Sequence, residues 1–427
     1  MTSAGPAPHT AAHTDVLVVG AGPAGLALSL LLLRSGIQVT LAEKSTSFAR
    51  DFHGEILQPG GQRILDHLGV LAAARERGAR TLDGFQVLEG GRVLLDIDYR
   101  RLAPPYAQLL ALPQRHLLEE LLAACHRLPG FTYLPGHRIH ALLHERGRCA
   151  GATLTGPAAR TTVAAHVVVA ADGRFSKTRT LAGIDAARTE AFDQDIVWFT
   201  LPAPGRATHR VRIHRAAGTA VLVHDTHPDR LRIGWALPHR GWQAAAARGI
   251  APLKDELAAA VPELADLLQT HLRSLSDLTL LDVFAAHAQH WVHDGLVLIG
   301  DAAHTHGPLG AQGINLALQD AAALHPVLVD ALHTGGCTRE RLAPFQHARE
   351  RAATQVTRVQ RMQAKAFLGS AGPLPTYLRA RAAALVTRTR LGAHLTSRIA
   401  FGPTPAEVRT DLLTAAPAPL QKGAPTP

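Results

Sequence analysis

A glycine-rich turn near the amino terminus is the first feature that could do chemistry. Gly20, Gly22 and Gly25 follow the spacing Gly-x-Gly-x-x-Gly, with Pro23 and Ala24 between the last two glycines. In such a turn the first glycine permits the tight bend, the second lets a pyrophosphate approach the backbone, and the third lets helix and strand pack closely. The N-terminus of the following helix adds free N–H groups and partial positive charge. The pattern predicts a dinucleotide site and does not separate NAD from FAD.

An acidic residue follows at the distance that a dinucleotide site requires. Glu43 ends the second predicted strand, with Lys44 directly after it, and it stands close to the offset of ~20 residues expected of a ribose-binding acid. A carboxylate there accepts hydrogen bonds from ribose hydroxyls and repels a 2′-phosphate. The alternative is a glycine-rich turn without a ligand, but strand, helix and acid all fall in register.

Two further segments place an acidic residue directly after an apolar strand. The first has the form DGxxSxxR and runs from Asp172 to Arg179. The alternative to a ligand role is an Asp–Arg pair that braces the turn. The second is Gly-Asp-Ala-Ala-His at 300–304, where an unpaired Asp301 would be costly to bury. Its alternative role, which is compatible with ligand binding, is the N-cap of a helix over 302–305.

The elements that must position these residues indicate an α/β fold. Strands are predicted over 15–20, 38–43, 163–171 and 295–300, and helices over 23–36, 56–79 with a turn at Gly60-Gly61, 113–128 and onward from 313. The β–α–β order at the start is typical of a sheet covered by helices. Short β-like pieces between 190 and 240, separated by Pro and Gly, indicate an inserted antiparallel sheet. Pro326 should kink or end the last helix.

The composition excludes several classes of protein. The chain has 427 residues, a formal net charge of +10 and three widely spaced cysteines. A disulfide scaffold and a cysteine zinc site are therefore excluded, and a reducing, cytoplasmic location is expected. No apolar stretch approaches the ~20 residues that span a bilayer. Aromatic residues make up only 4%, and no basic patch interleaved with aromatics predicts nucleic-acid binding.

Two other patterns have structural interpretations. His287, His290 and His293, and the pair His304 and His306, have spacings seen in metal sites, but no carboxylate joins them, and no metal site is predicted. Residues 351–400 carry nine Lys and Arg and no acid. A packed helix with a solvated basic face is favoured there over peripheral contact with a membrane.

Taken together, the three motifs resemble those of the FAD-dependent monooxygenases of the p-hydroxybenzoate hydroxylase-like family, the group A flavoprotein hydroxylases. The resemblance covers roughly residues 15–350, and the joint occurrence of the motifs in this order is highly specific. The stretch 54–61 also resembles squalene monooxygenase locally. The resemblance implies a Rossmann-like FAD-binding domain, an inserted, mostly antiparallel β-sheet substrate domain, and C-terminal helices.

The same resemblance implies the contacts of a non-covalently bound FAD. It implies that Asp301 bonds a ribityl hydroxyl and that Pro308 shapes the wall beside the reacting face of the ring. The helix that opens at Gly313, Ile314 and Asn315 would direct its N–H groups to the flavin N1–C2=O edge. The other implied contacts are Arg115 with the phosphate–ribitol region, the Ile139 backbone with adenine, Arg50 over the cofactor, and Asp172 with both the pyrophosphate and the reduced nicotinamide nucleotide.

The expected domains follow from these motifs. They are a disordered tail (1–14), a discontinuous FAD-binding domain (15–182 and 285–345), a substrate domain (183–284), C-terminal helices (346–402) and a loose tail (403–427), with 80–110 assignable to either of the first two folded domains.

The resemblance also implies the reaction. NADH or NADPH would reduce FAD, O2 would add at C4a, and the peroxyflavin would hydroxylate or epoxidise an organic molecule. No second Gly-x-Gly-x-x-Gly occurs, which fits a nucleotide that docks transiently. The stretch 54–61 and the apolar β pieces favour a lipophilic aromatic or isoprenoid substrate over a small benzoate. Arg210, Arg212 and Arg232 could clamp an acid, but alternation on exposed strands explains them as readily.

Three alternatives remain open from the sequence. A prenyl-chain saturase would reduce its substrate without O2. A flavin-dependent halogenase would need a catalytic lysine and a Trp-x-Trp-x-Ile-Pro segment, of which 233–238 is only a partial match. A non-enzymatic flavin-binding module would not turn over NAD(P)H.

Overall fold

A computed structural model describes residues 9–49, 54–189, 194–216, 219–367 and 389–414. The strands are β1 (His9–Val19), β2 (Val39–Glu43), β3 (Ile56–Leu57), β4 (Arg80–Leu82), β5 (Gly84–Glu89), β6 (Arg92–Asp98), β7 (Leu109–Ala111), β8 (Phe131–Pro135), β9 (Arg138–Glu145), β10 (Arg148–Thr155), β11 (Arg160–Ala170), β12 (Ala186–Thr189), β13 (Gln194–Pro202), β14 (Val211–Ala216), β15 (Thr219–Thr226), β16 (Arg230–Pro238), β17 (Thr279–Leu281), β18 (Ala285–Ala288), β19 (Val292–His293), β20 (Leu296–Leu298) and β21 (His304–Thr305). The helices are α1 (Pro23–Arg34), α2 (Pro59–His67), α3 (Leu71–Glu76), α4 (Gln114–His126), α5 (Lys177–Leu181), α6 (Trp242–Ala247), α7 (Ile250–Ala260), α8 (Ala265–His271), α9 (Gly313–His333), α10 (Arg339–Phe367) and α11 (Arg390–Phe401).

The first sheet carries the sequence motifs. Among the described residues its strands follow the order β19-β20-β11-β1-β2-β8, and β10 pairs antiparallel with both β11 and β9. Strands β1, β2, β8, β11 and β20 run parallel. Their carboxyl ends therefore meet at one edge, which is where α/β proteins bind ligands. This topology confirms the predicted α/β fold.

Helix α1 shows why the sheet is covered so closely. Every residue from Ala24 to Arg34 is buried. The helix is apolar on nearly all sides, and helices of this kind are buried within the protein. The helix packs against α4 and α9. Pro23 stands in its first turn, where a missing N–H breaks no helical hydrogen bond. The start of α1 is thereby fixed directly after the glycine turn.

The second sheet forms the inserted unit. Its order among the described residues is β17-β13-β16-β15-β14-β5-β6. All pairs are antiparallel except β14 with β5, so the stretch 84–98 lies in this sheet. One face packs its apolar residues against α6, α7 and α8. On the opposite face, Ile196 and Leu281 pack against a small apolar cluster formed by Val283 and by Leu309, which lies in the loop before α9.

Smaller elements join the two sheets. Strands β3, β7 and β4 form one short sheet, and β12, β18 and β21 form another. Helix α10 packs along α9, and α11 packs on α2. Within the described residues no helix is long and apolar enough to cross a membrane. Most of the apolar stripe expected within 351–400 falls in 368–388, outside the described residues.

The structure corrects three sequence expectations. Strand β1 begins at His9, so residues 9–14 pair with β11 rather than belonging to a disordered tail. The stretch 56–79 is a short strand and two helices rather than one helix. Gly60 and Gly61 lie inside α2 and not in a turn. They serve close packing instead, because a Cβ at Gly61 would stand 2.3 Å from the side-chain oxygen of Asn315.

Pro326 does not end α9. The helix continues to His333, although proline removes one backbone donor. Residues on both sides of Pro326, among them Leu324 and Leu328, are fully buried. Packing in the core therefore holds the helix together through the missing hydrogen bond.

Candidate functional site

The glycine turn has the geometry that its sequence predicts. Gly20 has φ +109°, and a Cβ there would stand 2.4 Å from the carbonyl oxygen of Ala171. A Cβ on Gly25 would lie 2.0 Å from the carbonyl oxygen of Gly20. Gly22 differs from both, because nothing lies within 4 Å of its Cβ position. The turn is tight at its ends and open in its middle, as a backbone that approaches a pyrophosphate must be.

Glu43 lies directly beside this turn. Its side chain is 4% exposed. Its Oε2 accepts a hydrogen bond of 2.8 Å from the Ala21 N–H, and its Oε1 accepts one of 3.0 Å from the Ser45 N–H. The structure therefore brings the predicted ribose-binding acid against the predicted phosphate-binding turn. Lys44 is exposed at the end of β2.

The segment 171–179 is held by its own aspartate. One oxygen of Asp172 accepts from the Ser176 hydroxyl, and the other accepts from Thr178 through its N–H at 2.9 Å and its hydroxyl at 2.8 Å. The predicted alternative, a direct pair with Arg179, is not what braces the turn. Arg179 instead donates from Nη1 to the carbonyl oxygen of Ala302 at 2.8 Å. Burial lowers the pKa of Arg179.

Asp301 lies in a short 3-10 turn, Gly300–Ala302, at the end of β20. The residue that precedes this turn is Ile299, so Asp301 is not its N-cap, and no helix forms over 302–305. The Asp301 side chain is 34% exposed, and its Oδ2 lies 3.9 Å from Nε of Arg174. The carboxylate is therefore accessible to a ligand at the sheet edge.

The 300–312 loop, which joins β20 to α9, carries the remaining predicted contacts. Pro308 is half-buried, and Gly310 has φ +71°. A Cβ on Gly313, the first residue of α9, would meet nothing within 4 Å. Ile314 is buried and lies against Gly54. The helix start is thus open where a ligand could meet its N–H groups.

Asn315 fixes this helix start to α2 rather than pointing to the open side. Its Oδ1 accepts from the Gln58 N–H at 2.9 Å, and its Nδ2 donates to the carbonyl oxygen of Ala311 at 2.8 Å. Gln58 in turn donates from Nε2 to the carbonyl oxygen of Gly310 at 2.8 Å. The side-chain amides of Gln58 and Asn315 therefore hold the 300–312 loop against the start of α2.

A buried charged cluster supports the other end of the loop. Asp320 is fully buried on α9 and accepts from the Gly300 N–H at 2.9 Å and from Nε of Arg349 at 2.7 Å. Nε2 of His304 lies 2.6 Å from the same carboxylate. His304 and Arg349 together hold the pKa of Asp320 below its usual range, despite the opposing effect of burial. This cluster ties the loop to α9 and α10.

A chain of histidines continues from that cluster. Nδ1 of His304 lies 3.0 Å from Nε2 of His306, whose Nδ1 lies 3.1 Å from the Thr357 hydroxyl. The same hydroxyl lies 3.2 Å from Nε2 of His287. Burial lowers the pKa of His287 to about 4 and lowers the pKa of His306 well below its usual value. In the part of the chain that the structure describes, no group of three or more His, Cys, Asp or Glu side chains is arranged to hold a metal ion.

Two of the predicted cofactor contacts, Arg115 and Ile139, make other contacts in the structure. Arg115 is exposed on α4 and donates from Nε to Glu119 at 2.7 Å. The Ile139 side chain is buried in the core, although its strand begins next to Glu43, whose carbonyl accepts from the His137 N–H at 2.9 Å. Arg50 lies outside the described residues.

A buried ion pair lies on the inner face of the second sheet, which is the face that carries Ile196 and Leu281. The sequence did not predict its two residues as a pair. Glu55 and Arg232 form it, with side chains 12% and 8% exposed. The guanidinium carbon of Arg232 also lies 5.4 Å from the ring centroid of Trp198. Glu55 further accepts from the Thr226 hydroxyl at 3.0 Å. Glu55 belongs to the stretch 54–61, whose resemblance to squalene monooxygenase was the sequence signal that could have drawn attention to it.

The three arginines that could have formed a cationic clamp do not converge. Arg210 lies 3.4 Å from Asp96 and 4.0 Å from Asp98. Arg212 pairs in register with Val223, whose side chain packs toward α6, α7 and α8. Arg232 is neutralised by Glu55. The three guanidinium groups therefore have separate surroundings, and the buried one, Arg232, is paired with a carboxylate.

Comparison with known proteins agrees with this geometry. The family described as FAD binding domain matches residues 13–360. The chain is 52% identical over 406 residues to 6-methylpretetramide 4-monooxygenase of Streptomyces rimosus, covering 95% of this chain and 96% of the relative. It is 30% identical to protoasukamycin 4-monooxygenase of Streptomyces nodosus subsp. asukaensis, covering 76% of this chain and 81% of the relative. The solved structure of PqsL from P. aeruginosa superposes with a TM-score of 0.76 at 23% identity, covering 87% and 100%.

Proposed function

Because the chain belongs to the FAD-dependent monooxygenases of the p-hydroxybenzoate hydroxylase-like family, we propose that it uses NADH or NADPH and O2 to hydroxylate a polycyclic aromatic molecule. The observation that carries this proposal is the identity of 52% to 6-methylpretetramide 4-monooxygenase along nearly the whole of both chains. The family membership confirms the predicted enzyme class. The nucleotide, the substrate and the residues that bind them are proposals.

The residues at the sheet edge fit FAD. The space at Gly22 suits a pyrophosphate, and buried Glu43 stands beside it for a ribose. Accessible Asp301 suits a ribityl hydroxyl, and the open start of α9 suits the electron-rich edge of the ring. When bound, FAD supplies the redox chemistry and the activation of O2. The proposed ligands are Gly20, Gly22, Pro23, Ala24, Gly25, Glu43, Lys44, Arg50, Arg115, Ile139, Asp172, Asp301, Pro308, Gly313, Ile314 and Asn315.

The protein's own part in the reaction is to orient the substrate and exclude water. The 300–312 loop is held by Gln58 on one side and by the Asp320 cluster on the other. The inner face of the second sheet contacts it through Leu309. A substrate between sheet and loop is thereby held against a fixed wall, which favours reaction by orientation and by exclusion of water.

The charge of this region favours a neutral substrate. A small aromatic acid would need a buried cation to receive its carboxylate. Arg232 is the buried candidate, and Glu55 already neutralises it. A lipophilic polycyclic aromatic molecule needs no such cation, so it fits the inner face better than a hydroxybenzoate does. The names of the two relatives support an aromatic rather than an isoprenoid substrate.

The experiment is to measure O2 uptake with purified FAD-loaded protein, NADH or NADPH, and 6-methylpretetramide. We expect the substrate to stimulate O2 uptake, and we expect a product that has gained one oxygen atom. 4-Hydroxybenzoate is the control and should leave uptake at the level without substrate. Product formation tightly coupled to oxidation with 4-hydroxybenzoate alone would contradict the proposed substrate class. Reduction of the organic molecule without O2 uptake would favour a saturase, and halide-dependent product would favour a halogenase.

The proposed attachment of FAD has its own test. We expect the flavin to be held without a covalent bond, so acid precipitation should release it to the supernatant. His53, near the predicted cofactor contacts in sequence, lies outside the described residues. Yellow colour that stays in the acid pellet would show a covalent bond and contradict this expectation.

A further inference from the structure

A pocket of about 230 Å³ opens between α11 and the end of β6, and we call it the α11 pocket. One wall is formed by the stretch 96–103 and the other by α11. Ile97, in the first wall, packs on the inner face of the second sheet with Ala236. Ile97 and Ala311 of the 300–312 loop also pack on one shared apolar cluster. The pocket therefore adjoins the space between sheet and loop in which the proposed substrate lies.

The α11 pocket contains hydrogen-bond donors that the protein itself does not use. They are the guanidinium of Arg101 and the hydroxyls of Thr396 and Ser397, which have no hydrogen-bond or ion-pair partner in the part of the chain that the structure describes. Thr396 is only 8% exposed, so it is a polar side chain that is nine-tenths buried and lines a pocket without a partner. A polar group withdrawn from water is costly unless an acceptor meets it. These donors indicate a ligand that carries an acceptor oxygen.

Two carboxylates in the same pocket differ in what they already bind. Asp98 accepts three hydrogen bonds from Arg100, at 3.0 Å from the backbone N–H, 2.9 Å from Nε and 2.8 Å from Nη2. Asp96 is exposed, and its nearest cation is Nη1 of Arg210 at 3.4 Å. Over the described ranges no donor forms a hydrogen bond with Asp96. Asp96 can therefore accept from a ligand, and both carboxylates disfavour an anionic one.

Unused donors beside an unused carboxylate select a neutral group that both accepts and donates. A primary carboxamide has these properties, since its oxygen accepts and its NH2 group donates twice. A carboxylate has no donor, and Asp96 and Asp98 would repel it. A hydroxyl group offers both functions at a single oxygen, whereas Asp96 and Thr396 belong to different walls of the pocket. The carboxamide therefore fits the pocket better than either alternative.

We propose that the α11 pocket binds a primary carboxamide of the substrate. The carboxamide oxygen accepts from Arg101 and from the Thr396 hydroxyl, and the NH2 group donates to Asp96. The aromatic rings then lie toward Ile97 and the inner face of the second sheet. The inference rests on the proposed function and adds to it a substituent that the substrate must carry and the residues that select it.

The test is calorimetric binding of matched probes to the FAD-loaded protein without NAD(P)H. The probes share one ring system and are 3-hydroxyanthracene-2-carboxamide, 3-hydroxyanthracene-2-carboxylic acid and 2-hydroxyanthracene, which lacks the third substituent. We expect the wild type to bind the carboxamide about tenfold more tightly than either of the other two, the factor expected of a hydrogen bond to a charged group.

Two variants probe the two walls separately. Asp96→Asn should weaken binding of the carboxamide and strengthen binding of the acid, because the repelling charge is gone. Thr396→Val should weaken binding of the carboxamide and leave 2-hydroxyanthracene unchanged. Its melting temperature should stay as in the wild type or rise, because an unmatched buried hydroxyl is lost. Asp255→Asn, exposed on α7 at the opposite face of the same sheet, is the control and should keep all three affinities.

Two results would overturn the carboxamide site. One is wild-type binding of 2-hydroxyanthracene as tight as that of the carboxamide, which would leave the proposed aromatic substrate standing and remove the site. The other is an equal loss of affinity for all three probes in both variants with a lowered melting temperature, which would show that these residues serve the fold alone. Failure of the wild type to bind any of the probes is a distinct outcome, because it would contradict the proposed function and this inference with it.

Discussion

Arg179 donates a hydrogen bond of 2.8 Å from its guanidinium to the carbonyl oxygen of Ala302. These residues belong to two different motifs, the segment 171–179 and the turn that carries Asp301. Arg179 also reaches the carbonyl oxygen of Arg174 at 3.4 Å. One side chain therefore sets the distance between two stretches that are both expected to contact the cofactor.

Arg179→Met should loosen both stretches. We expect the free energy of unfolding to fall by about 1.5–3 kcal/mol, the range for a hydrogen bond to a charged group, and the affinity for FAD to fall with it. Chemical denaturation of the FAD-free protein and FAD titration measure the two effects. Arg206→Met removes an exposed pair with Asp266 and should change stability by less than about 1 kcal/mol. Unchanged stability and FAD affinity in Arg179→Met would show that the hydrogen bond to Ala302 does not hold the motifs.

Alanine substitutions at Gly22 and at Gly25 should fail in different ways. Gly22→Ala adds a Cβ where nothing lies within 4 Å, at a φ of −80° that alanine accepts. The FAD-free protein should keep its stability, or gain up to about 1 kcal/mol, and lose affinity for FAD. Gly25→Ala places a Cβ 2.0 Å from a carbonyl oxygen and should prevent correct folding.

Circular dichroism and thermal melting of the FAD-free variants, with FAD titration, separate the two cases. Asp301→Ala provides a third comparison, because its side chain is a third exposed and should affect FAD affinity without unfolding the chain. Gly22→Ala with wild-type FAD affinity would refute the assignment of the pyrophosphate to this turn.

The sequence predicted those parts of the fold and the site that depend on local backbone geometry. Gly20, Gly25 and Glu43 lie where the motif requires, because a tight bend and an adjacent strand end are set by neighbours in the chain. The helical pattern of α4 was equally visible, but the partner of Arg115 was not, since Glu119 competes for it one turn later. The placement of Gly60 and Gly61 inside α2 also depends on packing against distant residues.

Contacts between residues of separate sheets could not be predicted from the sequence. Glu55 meets Arg232 only because β16 faces the start of β3 across the inner side of the second sheet. Alternation along β16 gives the face on which Arg232 lies, but not what covers that face.

The buried histidines should make stability depend on pH. The folded-state pKa of His287 is lowered to about 4, and that of His306 is lowered well below its usual value. Between these values and ~6.5 the unfolded chain binds more protons, so stability rises with pH in this window and falls on acidification. Each such histidine changes the free energy of unfolding by at most about 1.4 kcal/mol per pH unit. Burial is the main cause of both lowered pKa values. Arg361 lowers the pKa of His287 further, Arg349 lowers that of His306 further, and Asp320 raises that of His306.

His306→Gln removes one of these titrations and keeps a polar side chain between His304 and Thr357. We expect its melting temperature to fall less steeply than that of the wild type from pH 7 to pH 5. His67→Gln, on the exposed face of α2, should keep the wild-type slope. Identical slopes for the wild type and His306→Gln would show that this chain of histidines does not govern the acid sensitivity.

The pair formed by Glu55 and Arg232 should decide between neutral and acidic substrates. Glu55→Gln leaves a buried guanidinium without its carboxylate, which should lower the free energy of unfolding by about 3–5 kcal/mol. The same change exposes positive charge to the inner face of the sheet, so 4-hydroxybenzoate should perturb the flavin spectrum of the variant and not that of the wild type. The double variant Glu55→Gln with Arg232→Gln removes both charges and should regain part of the lost stability without binding the acid. If Glu55→Gln gains no affinity for 4-hydroxybenzoate while its stability falls as expected, the pair holds the segment before β3 to the second sheet but does not select the substrate.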